Sequence, residues 1–185
     1  MMNRYGKNTV FILTGLLLVS VFLAKSAMAD VTINISADIY ADPCRVNNDA
    51  LISVDFGDIQ IRKVDGQSYA RTVTVPVQCT YYTGAPYVKI TGTPLAGAPG
   101  NVLSTNGTGL SSTNFGVALT QGDSVSGAPL TLGAGSGNGY PVTDGVTVDG
   151  TGNGQFTFTA VPFMQGTGLS EGAFSASANM VLVYQ

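Results

Sequence analysis

An all-β fold of the sandwich type is what this sequence predicts, and three observations carry it. Short runs alternate apolar and polar residues with a period of two, as in Phe115–Thr120. Clusters of Gly, Pro, Asn and Ser punctuate those runs. No segment shows a helical repeat with caps. Six or more short strands at fairly regular spacing, joined by turn residues, fit a single sandwich, without a linker or internal repeat to divide it.

The first element is a leader. Arg4 and Lys7 precede the apolar run Val10–Leu23, and Ala27-Met28-Ala29 supplies the small-x-small pattern of a cleavage site before Asp30. Residues 1–29 are therefore expected to be a signal peptide. An uncleaved anchor is the other reading, but the apolar run is shorter than the roughly 20 residues that cross a bilayer. No stable membrane insertion is expected after cleavage.

Residues 30–40 alternate, with Val31, Ile33, Ile35, Ala37 and Ile39 on one side and Thr32, Asn34, Ser36 and Asp38 on the other. That is a strand with one face to bury. Pro43 breaks the ladder beside Cys44. Leu51–Ile59 reads as a second short strand, Asp65-Gly66 as a turn, and Tyr69–Cys79 as a strand with Val73, Val75 and Val77 inward. Pro76 in it calls for an edge or a bulge. Tyr87–Thr91 is the next strand. Gly92–Thr113 is mostly loop, anchored by Val102-Leu103. Phe115–Thr120 is a strand, Gln121–Gly154 is hairpin and loop, and Gln155–Phe163 is a strand. Phe174, Ala176, Ala178, Met180, Leu182 and Tyr184 alternate over a long terminal run.

Composition excludes several functions. From Asp30 onward, Arg45, Arg62, Lys63, Arg71 and Lys89 face eleven acidic residues, so the chain is not built to hold a nucleic acid backbone. With no His in the chain, neither a Ser-His-Asp nor a Cys-His arrangement exists. The acidic pairs Asp55/Asp58, Asp144/Asp149 and Asp38/Asp42 sit by turns and read as turn chemistry. Gly133–Gly139 lacks the Lys and the helix of a phosphate loop. No enzyme activity, cofactor or metal site is expected. Cys44 and Cys79, an even count behind a secretory leader, point to one disulfide. In the chain-entropy view it is worth about 3–4 kcal/mol. Two free thiols or half a metal site are the alternative, but no His or third Cys is present to finish a zinc shell.

The N-terminal run either folds back as the first strand of its own sandwich or adds to another chain's sheet; pattern alone leaves both open. A resemblance bears on that choice. From Asp30 to the end the chain resembles the minor pilins of chaperone–usher pili. The likeness rests on the early Cys44, the terminal zipper run with penultimate Tyr184, and Gly172 at fourteenth from the end. It rests also on Val54-Asp55-Phe56-Gly57, Phe115-Gly116-Val117-Ala118-Leu119, Gly137-Asn138-Gly139-Tyr140 and Val161-Pro162-Phe163, which look most like tip-adaptor pilins of P pili.

The resemblance implies a fold and a mechanism. The fold is an incomplete immunoglobulin-like β-sandwich lacking its last strand, with residues 41–185 as the pilin domain. Residues 30–40 become a donor-strand extension. Gly172, Phe174, Ala176, Ala178, Met180, Leu182 and Tyr184 form the strand beside the groove. A periplasmic chaperone lends a strand to that groove, and at the outer-membrane usher the extension of the next subunit replaces it. Partners are then the chaperone, the usher and neighbouring pilins, a tip adhesin among them, and the location is a fimbrium on the cell surface. Related extensions carry a glycine where Ala37 stands, which leaves the donor register open. Two alternatives remain: a receptor-binding lectin-type subunit, for which Tyr81, Tyr82 and Tyr87 are the candidate aromatic patch, and a pilus terminator.

Overall fold

The computed structural model describes residues 34–107 and 114–185. The chain forms two units, Met1–Asp38 and Ile39–Gln185. In the first, only Asn34–Asp38 falls among the described residues; these five are exposed and belong to no strand. In the second, eleven strands follow one another: β1 (Arg45–Val46), β2 (Arg71–Gln78), β3 (Pro86–Gly92), β4 (Val102–Ser104), β5 (Asn106–Gly107), β6 (Phe115–Gln121), β7 (Tyr140–Pro141), β8 (Val146–Val148), β9 (Asn153–Met164), β10 (Phe174–Ser175) and β11 (Ala178–Tyr184). Single 3-10 turns lie at Asn47–Asp49 and Ile61–Lys63, and the described residues contain no α-helix.

All strand pairs are antiparallel. The larger sheet runs β1-β2-β9-β6-β4, with β8 also on β9. A smaller sheet runs β11-β3-β7, and β10 pairs with β5. Alternation explains how β2 and β9 pair. Val75 and Val77 point inward and are buried, while Thr72 and Thr74 meet Thr159 and Thr157 across the strands, hydroxyl to hydroxyl at 3.0 and 2.9 Å. Pro76 opposes Gln155 of β9, but β1 covers only Val77 and Gln78 on the other edge. The edge that the proline demands is therefore the place where β1 stops.

The main core lies between the two sheets. Val75, Val117, Leu119, Phe156 and Phe158 of the larger sheet pack with Val88, Ile90 and Leu182 of the smaller one. A second cluster, Leu95, Val102, Ala118 and Val161, covers the opposite face of the larger sheet. Hence β6 is buried along its whole length, on both faces.

The Gly-rich stretch after β6 is tied down by one side chain. Buried Gln121 accepts hydrogen bonds at Oε1 from the Thr143 and Asp144 amides (2.8 and 3.2 Å) and donates from Nε2 to the Pro129 and Pro141 carbonyls (3.4 and 3.3 Å). Gly139 has φ 96° and its Cα faces the Val88 carbonyl, so any Cβ there would collide with backbone.

Three sequence expectations need correction. Leu51–Ile59 forms no strand. Arg71 holds it instead, donating from Nε to the Asp55 carbonyl (3.1 Å) and from Nη2 to the Phe56 carbonyl (3.3 Å). Val102-Leu103 is more than a loop anchor: as β4 it pairs with Val117 and Ala118. The terminal run is not one strand. It pairs first with β5 and then with β3, which lie in different sheets, and it breaks between Ser175 and Ala178 where it changes partner.

Candidate functional site

The terminal strand runs along a groove. Its lower end is closed. The Cys44 amide donates to the Leu182 carbonyl at 2.7 Å, and the Gln185 and Ala85 backbones exchange hydrogen bonds of 3.0 and 2.9 Å. Cys44 and Cys79 form the expected disulfide, which joins the segment before β1 to the end of β2. Leu182 has no exposed surface, and Tyr184 is buried beside it. That burial pushes the Tyr184 phenol above its usual pKa of 10.0.

Further up, the same strand is open. Along a β-strand the backbone groups of every second residue point to the same edge. The Leu182 carbonyl faces the Cys44 edge, so the Met180 and Ala178 backbones face it too, and no backbone hydrogen bond reaches them there among the described residues. Asn179, Val181 and Val183 face the other edge, toward β3.

Beside the open edge lies a cavity of about 790 Å³. One wall is Gly172–Ala176 with Ala178 and Met180; the other is Leu51–Ile59. Ile90, Leu103, Val117, Leu119, Phe158 and Ala160 make the floor, so the cavity opens directly onto the main core. Phe174 packs edge-on against Phe115 at 4.9 Å between ring centroids, and against Phe56 of the facing wall at 6.1 Å. Leu51 leaves 90% of its surface exposed at the rim. A smaller cavity of about 120 Å³ shares Ile59, Gly172 and Phe174 with the groove and adds Ile61, Val64, Leu169 and Glu171.

The predicted zipper residues thus divide. Gly172, Phe174, Ala176, Ala178 and Met180 line the groove, whereas Leu182 and Tyr184 belong to the core below it. Of the N-terminal run, Val31 and Ile33 lie outside the described residues. Ala37 is exposed, Ile35 and Ile39 are 90% and 99% exposed, and none of the three lies in a strand among the described residues. The facing wall, with Ile52, Val54 and Phe56, was not predicted as part of the site; its apolar alternation was visible but reads equally as an ordinary strand.

The other candidates resolve into structure. Asp55 accepts from the Gly57 amide (2.8 Å), Asp144 from the Gly145 amide (2.7 Å), and Asp149 from the Thr151 amide and hydroxyl (2.8 and 2.6 Å) and the Asn153 amide (3.1 Å). The Thr151 bonds, first of all that of its hydroxyl, hold the Asp149 carboxyl below its usual range. These carboxylates shape turns. No three His, Cys, Asp or Glu side chains among the described residues are grouped to hold a metal. Tyr82 donates its hydroxyl to the Gly150 carbonyl (2.7 Å), and Tyr87 lies half-buried in β3.

Comparison with known proteins fits this geometry. The fimbrial adapter PapF of Escherichia coli is 44% identical over 170 residues, covering 91% of this chain and 96% of PapF. The minor fimbrial protein PrsF of Escherichia coli is 43% identical over 170 residues, again with 91% and 96% coverage. A solved structure of the P pilus adaptor subunit PapF matches with a TM-score of 0.53 at 36% identity, covering 80% of this chain and 100% of that one. The P pilus rod subunit PapA shares the fold, with a TM-score of 0.50 at 21% identity over 83% of this chain and 100% of that one. Residues 33–185 match the family described as Fimbrial protein. The chain therefore belongs to the fimbrial protein family, whose members are structural subunits and not enzymes.

Proposed function

We propose that this chain is a minor structural subunit of a chaperone–usher fimbria, acting as a tip adaptor and polymerising by donor-strand exchange. The groove is the observation that carries the reading. It is a trough with the unpaired backbone edge of Ala178 and Met180 on one side and the main core for a floor. An extended chain laid beside Ala178 and Met180 satisfies that edge and buries the floor, which is strand addition to a sheet. In this reading the domain (residues 41–185) is an immunoglobulin-like sandwich lacking its last strand. A periplasmic chaperone supplies the missing strand first, and a neighbouring pilin supplies it after transfer at the outer-membrane usher.

The donor half of the mechanism falls to residues 30–40, once residues 1–29 are removed. Ile35 and Ile39 stand exposed to solvent, and large apolar side chains gain roughly 1.5–3 kcal/mol each on full burial. The kinship with proteins named as fimbrial adapter and P pilus adaptor supports the adaptor position. An open groove favours an adaptor over a terminator, whose groove must refuse a strand.

The test uses the chain from Asp30 onward, with and without residues 30–39, mixed with a strand-accepting pilin held on its chaperone. The expected result is an SDS-resistant subunit pair that forms only with the extension and is lost in Ile33→Asp and Ile35→Asp. Pair formation without residues 30–39 would contradict the donor role.

A further inference from the structure

We infer that the groove discriminates among incoming strands by charge, and that it disfavours the extension of a second copy of this chain. The inference rests on the groove being a strand acceptor. Among the described residues, the only charged ones lining the groove are Asp55 and Asp58, and Glu171 lines the small cavity that shares Ile59 and Gly172 with it. None of the three makes an ion pair among the described residues. Arg71 directs its guanidinium to the Asp55 and Phe56 carbonyls; Arg62 and Lys63 sit on the Ile61–Lys63 turn and line neither cavity. The Arg71 charge offsets Asp55, so the anionic part of the lining is the end marked by Asp58 and Glu171.

The chain's own extension is anionic as well. Between Asp30 and Asp42 it carries Asp30, Asp38 and Asp42 and no Lys or Arg. Asp30 precedes the apolar series and Asp38 and Asp42 bracket its last member, Ile39. Whichever direction the strand takes in the groove, it brings a carboxylate to the Asp58–Glu171 end. Like charges a few ångströms apart repel even in water, and the repulsion fades as salt shortens the screening length. The strand that fits is one from a different polypeptide, apolar at alternate positions and flanked by Lys, Arg or neutral residues. Such selection adds no contact of its own; it penalises the wrong partner.

The experiment is a competition. The chain from Asp30 onward is refolded from denaturant with an equimolar mixture of two peptides. One has the sequence of residues 30–42; the other has Asp30, Asp38 and Asp42 replaced by Lys. The bound ratio is read by mass spectrometry, and the protein's own extension competes equally with both peptides. At low salt the Lys peptide is expected to win by at least about threefold, with an Asn-substituted peptide between them. The preference should shrink toward parity in about 1 M salt and in the double variant Asp58→Asn/Glu171→Gln. A ratio near one at low salt, or a preference indifferent to salt and to the double variant, would overturn the inference. Binding of neither peptide would instead strike at the strand-acceptor reading itself.

Discussion

Leu182 and Ala178 lie four residues apart on the same face of the same strand, yet Leu182 is wholly buried and Ala178 is exposed. The difference is in what lies alongside. At Leu182 the strand has β3 on one edge and Cys44 on the other, with Phe156 and Val77 in the same core. At Ala178 it has β3 alone, and the second edge faces an apolar trough. One strand is thus finished at one end and unfinished at the other. Burial and hydrogen bonding fail together there, which is what a removed strand would leave behind.

The contrast can be broken most severely at the closed end. Replacing Cys44 and Cys79 together with Ser removes the tie that holds the Cys44 segment against β11. Urea unfolding should show a loss of about 2–5 kcal/mol. A loss below about 1 kcal/mol would mean that the closed end does not depend on the bridge. Next in size, Leu182→Ala should cost about 2–5 kcal/mol, because it leaves a cavity in a sealed core. Met180→Ala, at the open end, should cost under about 1 kcal/mol in the free chain. Once a strand fills the groove, the same substitution should cost about 2 kcal/mol or more. Equal costs for Leu182→Ala and Met180→Ala in the free chain would contradict the division of the strand.

The smallest effect concerns the turn at Asp149, which does not line the groove. Its carboxyl titrates below the usual 3.8 because the Thr151 hydroxyl and amide and the Asn153 amide bind the ionised form. A depressed acid contributes stability that is present above the unfolded pKa and lost as pH falls through the folded one. Asp149→Ala should therefore be mildly destabilising at pH 7 and close to neutral near pH 2, where the parent has lost the same interaction. Thermal melts of both proteins at the two pH values check this.

Much of the strand content was legible because alternation survives wherever one face is buried. Val73, Val75 and Val77 in β2 and Phe156 and Phe158 in β9 show it plainly. The second core was not legible. In β6 both faces are buried, so Ala118 and Thr120 read as an outward face although Ala118 packs under Leu95 and Val102. The groove was half legible. Gly172 to Met180 announced an apolar face, but periodicity does not say whether that face meets its own core or a missing strand. It is the position of Leu51–Ile59, held by Arg71 and not paired into the sheet, that leaves a trough open beside that face.

The most direct test reads the free edge itself. Amide hydrogen exchange is followed in the chain from Asp30 onward, alone and with an Asn-flanked peptide carrying the Val31–Ile39 apolar series. Asn179, Val181 and Val183 face β3 and serve as the internal control, protected in both states. Ala178 and Met180 are predicted to exchange freely alone and to become protected at least about tenfold with the peptide. Protection of Ala178 and Met180 without any added strand, or no change when the peptide binds, would contradict the claim that this edge is the one awaiting a partner.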